Sequence, residues 1–336
     1  MRRLLLTGAS GFIGTNLLAN WKGRYEAILN LDSRPPLDAA HQSFWHKADL
    51  LIPDDWTRRI ADFQPTEVIH LAARTDMDEK TTPETGYKIN IEGTRLLLKA
   101  LHNVPSVRRF VLISSQFVCG PGYHPNSDTD FAPSTIYGQS KVEAEKLLRA
   151  NPPSFPWTIA RPTNVWGPWH PRYPREFWKV LQKGWYVHPS GSPVRRAYAY
   201  VETVLHQLEQ LLFLPESKVA EQVFYLSDPV EDIALWVDAF SRALGGRPAK
   251  RIPRSVLYAL GQVGDGVEAI TRRPFYISSS RARSMTTDYV VPLEKSLATL
   301  GTGPTSLEDG IVKTVAWLRY SFPKEFSHKP LERNLL

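Results

Sequence analysis

The segment LLLTGASGFIGTNLL, Leu4 to Leu18, restricts the fold of this chain more than any other stretch. An apolar run stops at Thr7, three glycines follow at three-residue spacing (Gly8, Gly11 and Gly14), and an amphipathic pattern takes over. Read as strand, turn and helix, the segment sets the positive end of a helix dipole and its unpaired N–H groups at the tip of a buried strand. In such a turn Gly8 permits the tight bend, Gly11 lets the backbone approach a pyrophosphate, and Gly14 allows the helix to pack closely on the sheet. A second strand pattern, Glu26–Asp32, ends on an acid at the separation expected of a ribose-binding carboxylate. The competing reading, a glycine-rich joint with no ligand, does not explain that acid. A carboxylate at Asp32 accepts hydrogen bonds from ribose hydroxyls and repels a 2′-phosphate, which favours NAD; Arg34 can pair with that phosphate, which keeps NADP open.

The alternation continues. Strand patterns cover Arg3–Thr7, Phe44–Ala48, Glu67–Leu71, Val107–Ser115 and Trp157–Arg161. Helix patterns cover Phe12–Trp21, Asp54–Phe63, Glu84–His102 behind Pro83, and a stretch from a Ser134 cap to Ala150. Strand–helix alternation implies an α/β fold, a Rossmann-type doubly wound parallel sheet covered on both faces. After Pro162 the composition shifts to Pro, Trp and charge in RPTNVWGPWHPRYPREFW. Helical patterns follow at Arg175–Lys183, Val201–Leu214 and Asp232–Leu244, with a strand at Gln222–Leu226. The expected division is a NAD(P)-binding region over 1–162 and a smaller mixed α/β substrate-binding region over 163–336, not strictly contiguous.

Composition narrows the function classes. No apolar run approaches the roughly 20 residues that span a bilayer, and the leucines after Arg2 and Arg3 are too few for a signal core, so a cytoplasmic location is expected. The single cysteine, Cys119, allows neither an intrachain disulfide nor a cysteine metal cluster, and no metal is expected. The net charge of +7 comes from scattered residues without a basic block, which argues against nucleic acid and suits a small anionic substrate such as a nucleotide diphosphate.

In YGQSK, Tyr137 and Lys141 stand four residues apart on one helical face, and Ser115 ends the strong strand pattern VLISS. A phenol with a pKa of about 10 is a poor base at neutral pH; bringing it down by roughly 3 units corresponds to about 4 kcal/mol, which a neighbouring ammonium and a cationic nicotinamide ring can supply together. Ser115 is then placed to hydrogen-bond the same substrate oxygen, with hydride transfer at the carbon that bears it. A core tyrosine beside a surface lysine is the alternative for the pair alone.

These motifs resemble the extended short-chain dehydrogenases/reductases of the nucleotide-sugar epimerase/dehydratase type. TGASGFIG, HLAA at His70–Ala73, NIEGT at Asn90–Thr94, ISSQFVCG at Ile113–Gly120, YGQSK and RPTNVWGP at Arg161–Pro168 carry the likeness, with looser echoes in RRAYAYVETV and SLEDGIVKTVAWLR. The resemblance implies a cofactor site from Gly8, Ser10, Gly11, Phe12, Ile13, Gly14, Asp32, Asp49, Leu50, Leu71, Ala72, Ala73, Asn90, Tyr137 and Lys141. It implies substrate contacts from Ser115, Gln116, Asn164 and Arg196, the last on the diphosphate. It also implies a homodimer paired through the helices at 84–102 and 134–150. Asp49 is equally a turn cap, Asn90 equally a buried helix polar group, and His70 reads as structural.

Departures from the family pattern select among reactions. The 4,6-dehydratases carry an Asp-Glu pair after the hydroxyl residue; here Gln116 and Phe117 stand there, and neither exchanges a proton. The expected function is a nucleotide-sugar 4-epimerase. The alternatives are an NAD(P)H-dependent 4-keto-sugar reductase, a dehydrogenase of a non-nucleotide substrate, or a non-catalytic NAD(P) sensor. His170 is a candidate acid/base for a reductase that also epimerises. Trp166, Trp169, Trp178 and Trp185 either line a pocket or pack a core.

Overall fold

The computed structural model describes residues 2–173, 177–272 and 275–326. The chain forms two compact units, one of residues 1–169, 199–229 and 291–304, the other of residues 170–198, 230–290 and 305–336.

The first unit holds a seven-stranded sheet. Its strands are β1 (Arg3–Thr7), β2 (Ala27–Asp32), β3 (Trp45–Lys47), β4 (Glu67–His70), β5 (Arg109–Ile113), β6 (Trp157–Pro162) and β7 (Gln222–Leu226). They run in the order β7-β6-β5-β4-β1-β2-β3, and every neighbouring pair is parallel. Because strand side chains alternate, β1 sends Leu4 and Leu6 to one face and Leu5 to the other. On the first face Leu4, Leu6, Ile69, Val111 and Phe224 pack with Leu17 and Leu18 of helix Phe12–Trp21 and with Leu205, Leu208 and Leu211 of helix Val201–Phe213. On the second, Leu5, Val68, Phe110, Leu112 and Ile159 pack with Trp56 and Ile60 of helix Asp55–Phe63, Leu97 and Leu101 of helix Thr94–Leu101, and Leu148 of helix Ile136–Ala150. This is the doubly wound arrangement expected from the alternation. The strand order reverses between β1 and β4, and such a switch point opens a ligand crevice at the carboxyl ends of the strands.

Two elements differ from the sequence expectation. The helix expected over 84–102 is broken into a turn at Pro83–Gly86, a π-helical turn at Ile89–Gly93 and the α-helix Thr94–Leu101. The wider turn presents Asn90 sideways, where its Oδ1 accepts the Arg74 N–H (2.8 Å) and its Nδ2 donates to the Arg74 carbonyl (3.1 Å) and Ser140 Oγ (2.8 Å). The 136–150 helix is capped by Thr135, not Ser134: Thr135 Oγ1 accepts the Gly138 N–H at 3.0 Å.

The second unit contains helices Ile233–Ala243, Arg254–Thr271, Ser279–Thr286 and Leu307–Ser321. Its core is aromatic, with Trp178 stacked on Phe240 (4.0 Å) and Trp236 stacked on Phe177 (5.6 Å). Of the helix expected at 175–183, Lys179–Gln182 is helical and residues 174–176 lie outside the described residues.

Candidate active site

The glycine turn follows β1 at the switch point, and the geometry shows why glycine is required. Gly8 has φ +74°, and a Cβ there would stand 2.5 Å from the Ala72 backbone in the segment after β4. A Cβ on Gly14 would stand 2.2 Å from Ala9 Cα, so this glycine lets the helix fold back closely on the turn that precedes it. At Gly11 a Cβ would meet only the Gly8 carbonyl, at 3.4 Å, which leaves a cradle over the helix start. Gly11 is the N-cap of helix Phe12–Trp21 and offers no capping side chain, so the first turn can serve an anion.

The turn is held from β2. Asn30, buried within AILNLD, accepts the Ala9 N–H at 3.0 Å and donates to Ser10 Oγ at 3.2 Å. Asp32 accepts the Ser10 N–H through Oδ2 and the Arg34 N–H through Oδ1, both at 3.0 Å. An ionised carboxylate has about four lone-pair sites, so this carboxylate retains capacity for ribose hydroxyls. The residues therefore fit a dinucleotide: Gly11 and the helix start for the pyrophosphate, Asp32 for the ribose. Phe12 and Ile13 begin that helix half-buried, and Leu71, Ala72 and Ala73 follow β4 half-buried. Asp49 caps its own turn by accepting the Leu51 N–H at 2.9 Å, while Leu50 is core.

Close packing at Gly138 sets the helix that carries Tyr137 and Lys141 against the turn that Ser115 caps. A Cβ on Gly138 would stand 2.2 Å from the Phe117 carbonyl, so the helix start presses on the short turn Gln116–Val118 that Ser115 caps. Ser115 Oγ accepts the Phe117 N–H at 3.2 Å. Lys141 Nζ donates to the Ile113 carbonyl at the end of β5 (2.8 Å) and lies 6.0 Å from the Tyr137 ring centre. Tyr137 is buried against Phe117 (5.9 Å, edge-on) and Tyr87 (6.1 Å). Burial lowers the Lys141 pKa to about 8, with the negative charge of Glu145 acting the other way. His70 is held neutral, its pKa lowered to about 3 by burial and then by Lys141. It bridges Thr7 Oγ1 (2.6 Å) and Thr94 Oγ1 (2.9 Å), a structural role in line with its reading from sequence.

Under the site lies an ion pair that sequence reasoning did not identify. Arg161, at the end of β6, meets Glu145 in a two-point contact (Nε to Oε1 2.9 Å, Nη2 to Oε2 2.7 Å), and both are almost fully buried. Arg161 also donates to Tyr225 Oη (3.1 Å) and the Asp128 carbonyl (2.7 Å), and Ser114 Oγ donates to Glu145. The available signal was spacing: Glu145 stands four residues after Lys141 on the same helix.

Other candidates are placed as follows. Gln116 is buried and Asn164 half-buried, both in the first unit. Arg196 and His170 belong to the second unit. Arg196 Nη2 donates to the Ser284 carbonyl. His170 stacks on Tyr173 (3.9 Å), its Nδ1 accepts the Tyr173 N–H (3.0 Å), and burial lowers its pKa to about 3. A ring so held is neutral at physiological pH. Trp166 packs on Tyr200 (4.6 Å) and Trp178 on Phe240, so these two are core, while Trp185 is exposed beside Lys183. Burial raises the Cys119 pKa, as suits an unreactive thiol. An open cavity of about 890 Å³, lined by residues including Glu67, Arg109 and Pro156, marks the opposite edge of the sheet, where the strands begin.

A model of the NAD dependent epimerase/dehydratase family matches residues 4–187. UDP-glucose 4-epimerase of Vibrio cholerae is 31% identical over 238 residues, covering 68% of this chain and 71% of that protein. N-acetyl-alpha-D-glucosaminyl-diphospho-ditrans,octacis-undecaprenol 4-epimerase of Escherichia coli O157:H7 is 26% identical over 332 residues, 95% of each chain. Among solved structures, UDP-glucose 4-epimerase of Thermotoga maritima, with UDP-glucose, aligns with TM-score 0.71 at 20% identity over 95% of this chain and 99% of that one. UDP-glucuronic acid 4-epimerase of Bacillus cereus, with UDP-glucuronic acid and NAD, aligns with TM-score 0.69 at 19% identity over 95% and 100%.

Proposed function

Since the chain belongs to the NAD dependent epimerase/dehydratase family, we propose that it inverts C4 of a sugar carried on a diphosphate, with NAD as a resident cofactor. The observation that supports this reading is Lys141 beside Tyr137 on a helix pressed against the turn that Ser115 caps, in a chain that also carries the glycine turn after β1, with Gln116 and Phe117 where elimination of water would require an acid and a base. When bound, the nicotinamide supplies a reversible hydride acceptor. Tyr137 takes the proton of the substrate hydroxyl and returns it after the sugar has turned over. Lys141 stabilises the phenolate and Ser115 hydrogen-bonds the same oxygen. A single proton-handling residue is enough, because the two half-reactions mirror one another.

The carrier has two readings. A nucleotide follows from the sequence motifs. A polyprenol diphosphate is favoured by the Escherichia coli relative, which matches this chain almost end to end. Arg196 on the diphosphate, a homodimer and a cytoplasmic location complete the proposal.

The test uses purified protein assayed with UDP-N-acetylglucosamine, UDP-glucose and a polyprenol-diphosphate N-acetylglucosamine. Tyr137→Phe is expected to abolish C4 inversion on whichever substrate the wild type accepts, while heat still releases NAD from the variant. Full turnover in Tyr137→Phe would refute the mechanism. A wild type that carries no nucleotide and only consumes added NAD(P)H would instead identify a reductase.

A further inference from the structure

We infer that the helix Arg254–Thr271 docks the protein on an anionic lipid bilayer. One side of this helix is already committed: Leu257, Gly261 and Gly264 are buried, and a Cβ on Gly261 would stand 3.0 Å from Ser279 at the start of helix Ser279–Thr286. Beside that contact runs a second apolar stripe, Val256, Leu260, Val263, Val267 and Ile270, at spacings of four, three, four and three. Four of its five side chains are exposed, Val256 44%, Leu260 39%, Val263 61% and Ile270 84%, and Val267 is half-buried. The stripe spans about 21 Å at 1.5 Å per residue. Phe275 and Tyr276, also exposed, follow the helix. Large apolar side chains exposed in one continuous row mark an interaction surface, whereas single ones do not.

Charge selects the occupant. The unit that carries this helix holds 20 of the 41 Lys and Arg but only 11 of the 34 Asp and Glu, so the excess of positive charge lies there. Around the helix Arg247, Lys250, Arg251, Arg272, Arg281 and Arg283 are exposed, against Asp265 and Glu268 on the helix itself. Asp238 neutralises Arg251 in part (2.6 Å). An apolar stripe bracketed by cations is the pattern of a helix lying in the plane of an anionic membrane, apolar side chains among the acyl chains and arginines at the phosphates. A second copy of the chain would bring two basic surfaces together, and the stripe is shorter than the three to four heptads that about define a coiled coil. No helix among the described residues is long and apolar enough to cross a membrane, so the contact lies on the surface. A polyprenol-borne substrate is anchored in the same surface; that link alone rests on the reading above.

The full-length protein is sedimented with vesicles of phosphatidylcholine alone and of phosphatidylcholine doped with phosphatidylglycerol. Binding to the doped vesicles only, weakened by added salt, is expected. Val263→Glu combined with Ile270→Glu should lower that binding at least about tenfold, and Lys250→Glu combined with Arg272→Glu should lower it as well. Both variants should keep the wild-type melting temperature. Equal binding to both kinds of vesicle, no binding to either, undiminished binding by the two variants, or conversion of a dimer to a monomer by the apolar variant without lipid would overturn the proposal. These readouts do not depend on the sugar reaction, so a failed epimerase assay leaves them interpretable.

Discussion

Lys141→Met should make the nucleotide-free protein more stable and inactive. Burial holds the Lys141 ammonium at a pKa of about 8 against an ordinary 10.5. Each unit corresponds to about 1.4 kcal/mol, so keeping this lysine charged costs the fold about 3 kcal/mol. The substitution also removes the hydrogen bond from Nζ to the Ile113 carbonyl, worth about 1.5 kcal/mol for a charged donor. A net gain of about 2 kcal/mol at pH 7 remains. The sign follows from linkage: below pH 8 both folded and unfolded chains are protonated and the penalty is complete. Between about pH 8 and 10.5 the folded chain has lost a proton that the unfolded chain keeps, so wild-type stability rises with pH, and above that window the penalty is gone. Urea denaturation of wild type and variant at intervals from pH 6 to pH 11 measures the difference directly. The variant's advantage should be constant to about pH 8, shrink above it and reverse by about pH 10.5. A variant less stable than wild type at pH 7, or an advantage independent of pH, would refute the argument. Loss of turnover in the more stable protein is the expected trade of stability for function at a reactive site.

Further substitutions probe the scaffold. Arg161→Leu leaves Glu145 charged in the interior and should cost about 3–5 kcal/mol, while pairing it with Glu145→Leu should recover much of that loss; additive single effects in a double-mutant cycle would show that the pair is not coupled. Gly14→Ala forces a methyl group to within 2.2 Å of Ala9 Cα, and should lower stability by about 1–3 kcal/mol through overpacking. Gly23→Ala, with nothing within 4 Å of the new Cβ, is the control and should melt at the wild-type temperature.

The parts of this protein legible in the sequence are those set by local periodicity and backbone need. The strand Arg3–Thr7, the helix Phe12–Trp21 and the strand Gln222–Leu226 fall where their hydrophobic patterns place them, because burial on one or both faces leaves a period that neighbours do not alter. The glycines at 8 and 14 were legible as backbone requirements, although the close approach at Gly14 is to Ala9 of the turn and not to the strand itself. The spacing of Tyr137 and Lys141 on one helix face was sufficient to suggest a pair.

What tertiary structure decided depends on contacts between distant segments. The continuous helix suggested by residues 84–102 is interrupted because Asn90 satisfies the backbone of Arg74 and the hydroxyl of Ser140, partners 16 and 50 residues away. Arg161 and Glu145 each read as an unremarkable charge until β6 and the 136–150 helix bury them against one another. The stripe from Val256 to Ile270 is an ordinary amphipathic pattern in the sequence; it becomes a surface only because Ser279–Thr286 covers one side of that helix and leaves the other in solvent. A linear pattern records which residues favour burial. Only the packed chain shows which of them found a partner.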